Sequence, residues 1–294
     1  MSFEEAYNEF KIYASKRHKK QGFVTIDQDF SKHVLPYFKD KSINELTKID
    51  VINWQNDILD HNYSNSFNAK LYYVFNSFAK YCVYCSYLNE NVVSLVGSFT
   101  KKIEIKNHTT YTLKQFIKFR RNISDFIIKQ FFNFMFFYGT RPSEAMALRF
   151  LDVKFRYVYI RHSIERKGNR SLDTPKNQSS IRIIKINFLM FFRICLLKRY
   201  YLRKYGSFSD DYFVFGGLKP LAPTTIDRHK KEAYIKAKLP CITQHEFRHS
   251  YATRKIHKNV PIDVVSRSMG HSKVSTTLDI YLHQEKNTMN VFFS

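Results

Sequence analysis

The sequence predicts a mainly α-helical protein with a small antiparallel β-sheet, divided into two domains. Three observations lead to this fold class. The chain has 294 residues, which is long enough for two domains. Apolar residues recur at three- and four-residue steps over most of its length, as in amphipathic helices. Two segments, residues 153–162 and 180–186, alternate instead between apolar and polar residues, as half-buried strands do.

The first hundred residues are predicted to form a compact four-helix domain. The helices are expected over residues 3–19, 25–38, 47–60 and 65–87. Thr47 and Asn65 are suitable N-caps, because a short polar side chain can accept a hydrogen bond from a free amide in the first helical turn. We place this domain at residues 1–103 and a polar, lysine-containing linker at residues 104–111.

The second domain, residues 112–294, is predicted to be α+β with a C-terminal tail. Thr112 caps its first helix, and a very apolar second helix ends at Gly139. Another helix is expected to begin near Pro142. Amides in the first turn of a helix have no hydrogen-bond partner within the helix, so proline, which has no amide hydrogen, is well tolerated there. The two strands flank a polar, basic turn region at residues 165–179, and the remainder is helical.

The composition indicates a polyanionic partner. There are 48 Lys and Arg residues against 25 Asp and Glu residues, a formal net charge of +23. With 44% hydrophobic residues the chain is too apolar to be a disordered basic tail, so the charge lies on a folded surface. Nucleic acid fits better than a membrane, because no stretch of about 20 uncharged apolar residues occurs.

With no secretory signal and four irregularly placed cysteines, we expect a cytoplasmic protein with reduced thiols.

The first candidate anion site is Arg141, which precedes the helix that starts at Pro142. An arginine at a helix N-terminus presents its guanidinium and nearby backbone N–H groups to a phosphate. Glu144 lies three residues later on the same helical face and would hold the arginine in place. The same two residues would also form an ordinary surface ion pair, so this segment alone leaves both interpretations open.

The second candidate site is a short helical segment that contains His245 and Arg248. The two share one face, which would place a proton-transfer group beside a cationic clamp. With His249 the segment also contains the pattern His-Glu-x-x-His, which is typical of zinc metallopeptidases. That alternative needs a third ligand downstream, a role left to Asp263 or His271, and Arg248 would place a positive charge between the ligands. The cationic clamp is therefore the better interpretation.

Two further side chains near the C-terminus complete a pattern. A Gly-His pair is predicted to end a helix at His271, and Tyr281 lies ten residues later. Each residue alone would be ordinary core or surface. Arg141, then His245-x-x-Arg248, then His271 and Tyr281 together resemble the catalytic set of the tyrosine recombinase family, the phage-type integrases. The resemblance covers nearly the whole chain.

This resemblance implies that the N-terminal helices form a SAM-like core-binding domain and that the second domain is catalytic. It also implies a lysine on a β-hairpin turn, for which Lys176 is the best match, with Lys167 and Arg170 in the same region. Tyr281 would attack the scissile phosphate, forming a 3′-phosphotyrosyl link and releasing a 5′-hydroxyl. Glu144 would orient a cationic partner, and neither a metal, ATP nor any other cofactor is expected.

The remaining roles fall to cationic and proton-transfer side chains. By resemblance these are the acid/base His245, the phosphate clamps Arg141 and Arg248, the hydrogen-bond donor His271, and the acid for the leaving oxygen, Lys176. His249 is expected to be structural. The implied function is that of a site-specific recombinase, an integrase of a phage or mobile element, which cuts and rejoins DNA.

The expected partners are double-stranded DNA attachment sites and three further copies of the chain in a homotetramer, with DNA-bending or directionality factors as additional partners and no membrane. A type IB topoisomerase, a metal-dependent transposase and a non-catalytic DNA-binding protein are the alternatives. Many integrases begin with a small arm-binding domain, whereas here the helices that resemble the core-binding domain begin at Met1. The expectation is either recombination at simple sites or a shorter form of such a protein.

Overall fold

A computed structural model of the chain divides it into two units, Met1–Glu104 and Ile105–Ser294. The structure describes residues 1–18, 20–100, 109–164, 172–173, 180–271, 274 and 278. This part is mainly helical with a small antiparallel sheet, which confirms the predicted fold class. Among these residues, no helix combines the length and the apolar character that crossing a membrane requires.

The first unit is built from helices. They are α1 (Phe3–Arg17), α2 (Lys20–His33), α3 (Leu35–Phe38), α4 (Lys48–Asp60), α5 (Asn65–Tyr84) and α6 (Val92–Val96). Thr47 is the N-cap of α4 as predicted, and its side chain accepts a hydrogen bond from the backbone N–H of Asp50. The N-cap of α5 is Ser64 rather than Asn65, which is the first helical residue.

The helix predicted over residues 25–38 is divided in two. α2 ends at His33, and α3 begins at Leu35 with Pro36 in its first turn. Proline has no amide hydrogen, and its ring clashes with the carbonyl group four residues earlier, so a regular helix does not continue through this position. The prediction of one continuous helix was therefore wrong, although the proline that interrupts it is visible in the sequence.

Aromatic side chains fill the core of the first unit. Phe3, Tyr7 and Phe30 are buried, and the rings of Tyr7 and Phe30 stack with their centroids 4.0 Å apart. Trp54 is fully buried and donates its indole N–H to the carbonyl oxygen of His33 at 2.8 Å. Because a buried indole N–H requires an acceptor, this bond joins α4 to the end of α2. The unit therefore has a hydrophobic core of its own.

The second unit surrounds one apolar helix. Its helices are α7 (Leu113–Arg121), α8 (Phe126–Tyr138), α9 (Pro142–Ala147), α10 (Phe188–Tyr205), α11 (Pro223–Ala237), α12 (Gln244–Ile256) and α13 (Ile262–Met269). As predicted, Thr112 caps α7, Gly139 ends α8 and Pro142 begins α9. α8 is buried on almost every side, and a helix that is apolar all round belongs in the interior.

The strands of the second unit are β1 (Val153–Lys154), β2 (Tyr157–Ile160), β3 (Ser163–Ile164), β4 (Leu172–Asp173) and β5 (Arg182–Lys185). One antiparallel sheet has the order β1-β2-β5, and β3 pairs with β4. The single strand predicted over residues 153–162 was wrong, because the chain reverses at Phe155 and Arg156 to form the β1–β2 hairpin. This two-residue turn contains no Gly, Asn or Asp, the usual signal of such a turn.

α12 packs along α8 through aromatic contacts at both of its ends. The ring of Phe247 lies 4.9 Å from that of Phe132 in α8, centroid to centroid, and 5.1 Å from that of Phe119 in the neighbouring α7. Near the other end, the guanidinium of Arg254 lies over the ring of Phe136 at 4.2 Å. α12 is thereby held against the central helix, and the polar residues between these contacts are carried into the interior.

A buried hydrogen bond joins the start of the second unit to α12. The backbone N–H of Tyr111 donates to Oγ of Ser250 at 2.9 Å, and Ser250 Oγ donates in turn to the carbonyl oxygen of Glu246 at 2.7 Å. Ser250 is completely buried and Tyr111 is nearly so. A buried N–H group without an acceptor is destabilising, so this serine fixes the entry of the chain into the unit.

We expect Ser250→Ala to lower the free energy of unfolding by about 1–3 kcal/mol, because the N–H of Tyr111 loses its acceptor. Denaturant titration followed by circular dichroism measures the change. Ser207→Ala, at an exposed position, is the matched control and should have little effect. Equal stability of the two variants would contradict the role assigned to Ser250.

Candidate active site

Arg141 is held at the beginning of α9 by that helix's own carboxylate. Its backbone N–H donates to Oε2 of Glu144 at 2.8 Å, and its Nη1 donates to Oε1 at 2.7 Å. The Glu144 side chain is 4% exposed, whereas that of Arg141 is 32% exposed. The ion pair anticipated from the sequence therefore forms, but its carboxylate is buried and only the arginine side chain is partly accessible to solvent.

Arg248 lies in the interior, in the middle of α12. Nη1 donates to the carbonyl oxygen of Gly139 at 2.8 Å, and Nη2 donates to that of Met269 at 2.7 Å. Nη1 also lies 3.9 Å from Oε2 of Glu144. These carbonyl groups end α8 and α13, and the end of a helix favours a cation because its terminal carbonyls carry partial negative charge. Burial lowers the pKa of Arg248 to about 9, so it remains charged at neutral pH.

His271 directly follows the end of α13. Gly270 ends that helix in a left-handed conformation with φ +70°, and the backbone N–H of His271 donates to the carbonyl oxygen of Ser266 at 3.1 Å. Burial, followed by the positive charges of Arg248 and Arg141, lowers the pKa of the His271 imidazole to about 3. At neutral pH the imidazole is therefore uncharged, and it offers one N–H donor without adding positive charge.

His245 is exposed in the first turn of α12, one turn before Arg248. The adjacent Glu246 belongs to the capping box of the same helix: its backbone N–H donates to Oγ1 of Thr243, and its carboxylate accepts a hydrogen bond from the N–H of Thr243. A metallopeptidase helix would use this carboxylate as its general base. The capping role therefore argues against that alternative.

Two of the predicted catalytic residues, Lys176 and Tyr281, lie outside the described residues, and their roles stay predictions. Among the others, the structure joins the two predicted arginines through Glu144. His271 lies close enough for both arginines to lower the pKa of its imidazole. His245 shares α12 with the buried arginine.

A third arginine of this cluster, Arg182, was missed by the sequence analysis. It is the first residue of β5, and its side chain is 8% exposed. Nη2 and Nη1 donate to Oε2 and Oε1 of Glu144 at 2.8 and 3.1 Å. Arg182 shares the more buried face of β5 with Ile184. A basic residue at such a position in an alternating strand calls for a buried acceptor, and this was the available signal.

Glu144 thus lies among three guanidinium groups. Burial raises its pKa, but the hydrogen bonds and the charge of Arg182, followed by the charges of Arg248 and Arg141, hold that pKa at about 2. Within the described residues, the three cations and the one carboxylate leave two positive charges unbalanced. An unbalanced buried charge is unfavourable until an anion joins it, and arginine binds phosphate oxygens well.

Metal binding has little support in this cluster. Both oxygens of Glu144 already accept hydrogen bonds from arginine. In the described ranges no group of three His, Cys, Asp or Glu side chains is arranged to hold a metal ion. What the cluster can do chemically is to bind an anion.

Both units match family models. The phage integrase family model matches residues 107–288, and the model of the phage integrase N-terminal SAM-like domain matches residues 2–59. The chain is 26% identical over 270 residues to a relative named tyrosine recombinase XerC-like, from Caldanaerobacter subterraneus subsp. tengcongensis, covering 82% of this chain and 68% of the relative.

Two further relatives are similar over much of the chain. The identity to a tyrosine recombinase of Thermosipho africanus is 30% over 203 residues, covering 67% of this chain and 57% of that relative. The identity to the ICEBs1 integrase of Bacillus subtilis is 23% over 272 residues, covering 87% of this chain and 72% of that integrase. The chain therefore spans between somewhat more than half and about three quarters of the length of these relatives.

Solved structures share the fold. The Tn1549 transposon integrase in complex with transposon right end DNA matches with a TM-score of 0.78 at 18% identity, covering 100% of both chains. A lambda integrase dimer bound to a core site matches with a TM-score of 0.73 at 14% identity, covering 95% of both chains. At these identities the likeness establishes the fold.

Gly139→Ala is expected to destabilise the second unit more than Gly206→Ala does. Both glycines end helices with positive φ, +66° and +71°, so alanine is strained by about 1–2 kcal/mol at either position. A Cβ atom at position 139 would in addition overlap the ring of Tyr251, whereas one at position 206 meets no atom within 4 Å. Denaturant titration should show an excess loss of about 1–3 kcal/mol for Gly139→Ala, and equal losses would contradict this packing.

His271 is expected to make the stability of the protein depend on pH below neutrality. Its pKa is about 3 in the folded chain against 6.5 for the unperturbed group, so between these values the unfolded state binds more protons and the free energy of unfolding falls as pH falls. Glu144 contributes only at lower pH, from its ordinary 4.5 down to about 2.

His271→Asn should therefore flatten the loss of unfolding free energy from about pH 7 to about pH 5. Denaturant titrations at a series of pH values measure this slope. His257→Asn, which replaces an exposed histidine, is the control and should retain the slope of the unaltered chain. An unchanged slope in His271→Asn would show that this imidazole is not held uncharged.

Proposed function

The chain belongs to the phage integrase family of tyrosine recombinases, and from this premise we propose that it is a site-specific DNA recombinase that cuts and rejoins strands through a 3′-phosphotyrosyl intermediate at Tyr281. The observation that carries the proposal is the cluster of Arg141, Arg248 and Glu144. It supplies the cationic site that phosphoryl transfer without a metal needs.

The burial of this cluster supports catalysis over simple DNA binding. A protein that only binds the DNA backbone can place its cations on the surface, where they remain hydrated. Arg248 is instead 4% exposed and is held by two carbonyl oxygens. Fixed, partly desolvated donors stabilise charge that develops in a transition state, because they need no reorganisation during the reaction. Arg141, with 32% of its side chain exposed, is the member of the pair that meets solvent and therefore the incoming phosphate.

In the proposed cleavage step, the phenolic oxygen of Tyr281 bonds to the scissile phosphorus while the bond to the 5′-oxygen breaks. Free tyrosine has a pKa of about 10, so this attack needs a proton acceptor, the role proposed for His245. Lys176 protonates the departing 5′-oxygen. The phosphodiester energy is conserved in the phosphotyrosyl bond, and a 5′-hydroxyl of another strand reverses the step and rejoins the DNA.

His271 is proposed as an uncharged donor to the same phosphate. With a pKa held near 3 by burial and by the neighbouring arginines, the imidazole offers an N–H group and leaves the positive charge to the arginines. An incoming phosphate anion favours the imidazolium and raises this pKa. The histidine can therefore gain a proton, and a second donor, when the site is occupied.

The proposed substrate is double-stranded DNA carrying a specific site. A formal charge of +23 supplies cations for the backbone well beyond those in the cluster. Exchange between two duplexes requires four cleavages, so the active assembly is proposed to be a homotetramer on DNA. In support, solved lambda integrase structures include a tetramer bound to a Holliday junction, with a TM-score of 0.73 to this chain. DNA-bending or directionality factors and a cytoplasmic location remain proposals of the same kind.

A covalent adduct is the expected product when the chain reacts with a nicked suicide substrate that carries its attachment site. Cleavage releases a short strand, which diffuses away, so the phosphotyrosyl bond cannot be resealed. A protein–DNA band that survives denaturation should form with the unaltered chain and disappear with Tyr281→Phe, as judged by denaturing gel electrophoresis. An adduct formed by Tyr281→Phe would show that the nucleophile is another residue.

The same assay separates the alternatives. Full adduct formation in EDTA is expected, and its loss would favour a metal-dependent transposase. Relaxation of any supercoiled plasmid without recombinant products would favour a type IB topoisomerase. Retention of site-specific binding by Tyr281→Phe is the control for folding. Binding without any adduct from the unaltered chain would leave the non-catalytic DNA-binding protein as the correct interpretation.

A further inference from the structure

Arg182 uses every nitrogen of its guanidinium group inside the protein. Two nitrogens hold both oxygens of Glu144 at 2.8 and 3.1 Å, and Nη1 also donates to the carbonyl oxygen of Ser180 at 3.0 Å. Nε donates to the carbonyl oxygen of Ser268 at 2.9 Å. With 8% of its side chain exposed, Arg182 presents almost no surface to a substrate. Its effect on the reaction must therefore pass through Glu144 or through α13.

Three consecutive carbonyl groups at the end of α13 each accept a hydrogen bond from a different arginine. Ser268 accepts from Arg182, and the next two carbonyls accept from Arg248 and Arg141 at 2.7 and 2.9 Å. All three arginines also contact Glu144 or lie within 4 Å of it. The three arginines and Glu144 thus form one network at the C-terminal end of α13, directly before His271.

Within this network the charges are unevenly shared. The guanidinium of Arg182 binds the Glu144 carboxylate in a bidentate manner, whereas Arg141 uses one side-chain nitrogen and Arg248 stands 3.9 Å away. A bidentate pair is the strongest form of this interaction. Arg182 therefore neutralises the carboxylate, and two positive charges remain. A phosphodiester carries one negative charge and its pentavalent transition state carries two, which these two charges match.

We propose that Arg182 is a positioning residue of the recombination reaction: it neutralises Glu144, so that Arg141 and Arg248 keep their charges for the scissile phosphate. The inference rests on the proposed function and assigns a role that the catalytic set does not contain. Without Arg182, the buried carboxylate draws the other two arginines toward itself. The transition state then loses charge stabilisation even though both phosphate-binding arginines are still present.

The titration of Glu144 agrees with this role. Burial raises the pKa of Glu144. The hydrogen bonds and the charge of Arg182 contribute most to holding that pKa near 2, ahead of the charges of Arg248 and Arg141. His271 also faces the network, and its uncharged state adds no competing positive charge. Removal of Arg182 therefore leaves a carboxylate whose burial is poorly compensated.

The test compares Arg182→Met in the unaltered chain with Arg182→Met in a Glu144→Gln background. Single-turnover cleavage of the suicide substrate, at saturating protein, should be about 10- to 100-fold slower for Arg182→Met than for the unaltered chain, as expected when a charged hydrogen-bonded pair is broken. In the Glu144→Gln background the same substitution should change the rate less than about threefold, because there is no longer a carboxylate to neutralise. Arg182→Lys should recover part of the rate, since it restores the charge without the bidentate geometry.

Arg161→Met is the matched control. Arg161 also binds a buried carboxylate of the second unit, that of Asp152, at 2.9 Å. Its removal should leave the cleavage rate within about threefold of that of the unaltered chain. Circular dichroism and DNA binding at equilibrium confirm that each variant is folded.

The outcomes separate positioning from a purely structural role. The contacts of Arg182 with Ser180 and Ser268 are lost in both backgrounds, so an equal rate loss in both would mean that Arg182 only supports the fold, and would overturn the inference. An unchanged rate for Arg182→Met would overturn it as well. Failure of the proposed function would give a different result, the absence of any adduct from the unaltered chain. That result would also overturn the inference.

Discussion

The arginine cluster of the second unit depends on one buried carboxylate. Glu144 is 4% exposed, and it stays ionised only because guanidinium groups surround it. Those groups come from three different elements, the start of α9, the first residue of β5 and the middle of α12. A buried charge must be paired and hydrogen-bonded, so the carboxylate requires all three elements to meet at one point. Pairing of this charge therefore links α9, β5 and α12 in the second unit.

Helix ends complete the same centre. α8 and α13 both end beside Arg248, and their terminal carbonyl groups accept its hydrogen bonds. Terminal carbonyls have no partner within their own helix, and they carry the negative end of the helix dipole. The arginines thus donate hydrogen bonds to the terminal carbonyl groups of these helices, and the carbonyl groups hold the guanidinium groups in fixed orientations. The result is a largely buried cationic cluster whose guanidinium groups are held in place by backbone carbonyl oxygens.

Local signals made most elements of the fold predictable. The helix starts at Thr47, Thr112 and Pro142 were correct because caps and prolines act within one turn of the chain. Two elements were predicted wrongly, one because the helix-breaking effect of a proline was not taken into account and one because the turn has no typical turn residue. Pro36 divided a helix predicted to be continuous, and the turn at Phe155 carries no typical turn residue.

The sequence by itself determined the helices, the positive charge and the order of the Arg, His, Arg, His and Tyr residues that marks the family. Only the tertiary structure decided which charges meet. Arg182 lies 38 positions from Glu144 and 86 positions from Ser268, and no periodicity or motif spacing relates residues so far apart. Burial is likewise a property of the folded chain, and it turned a pair that could have lain on the surface into the centre of the site. Electrostatic partnership in an interior is set by long-range packing, which a linear pattern does not contain.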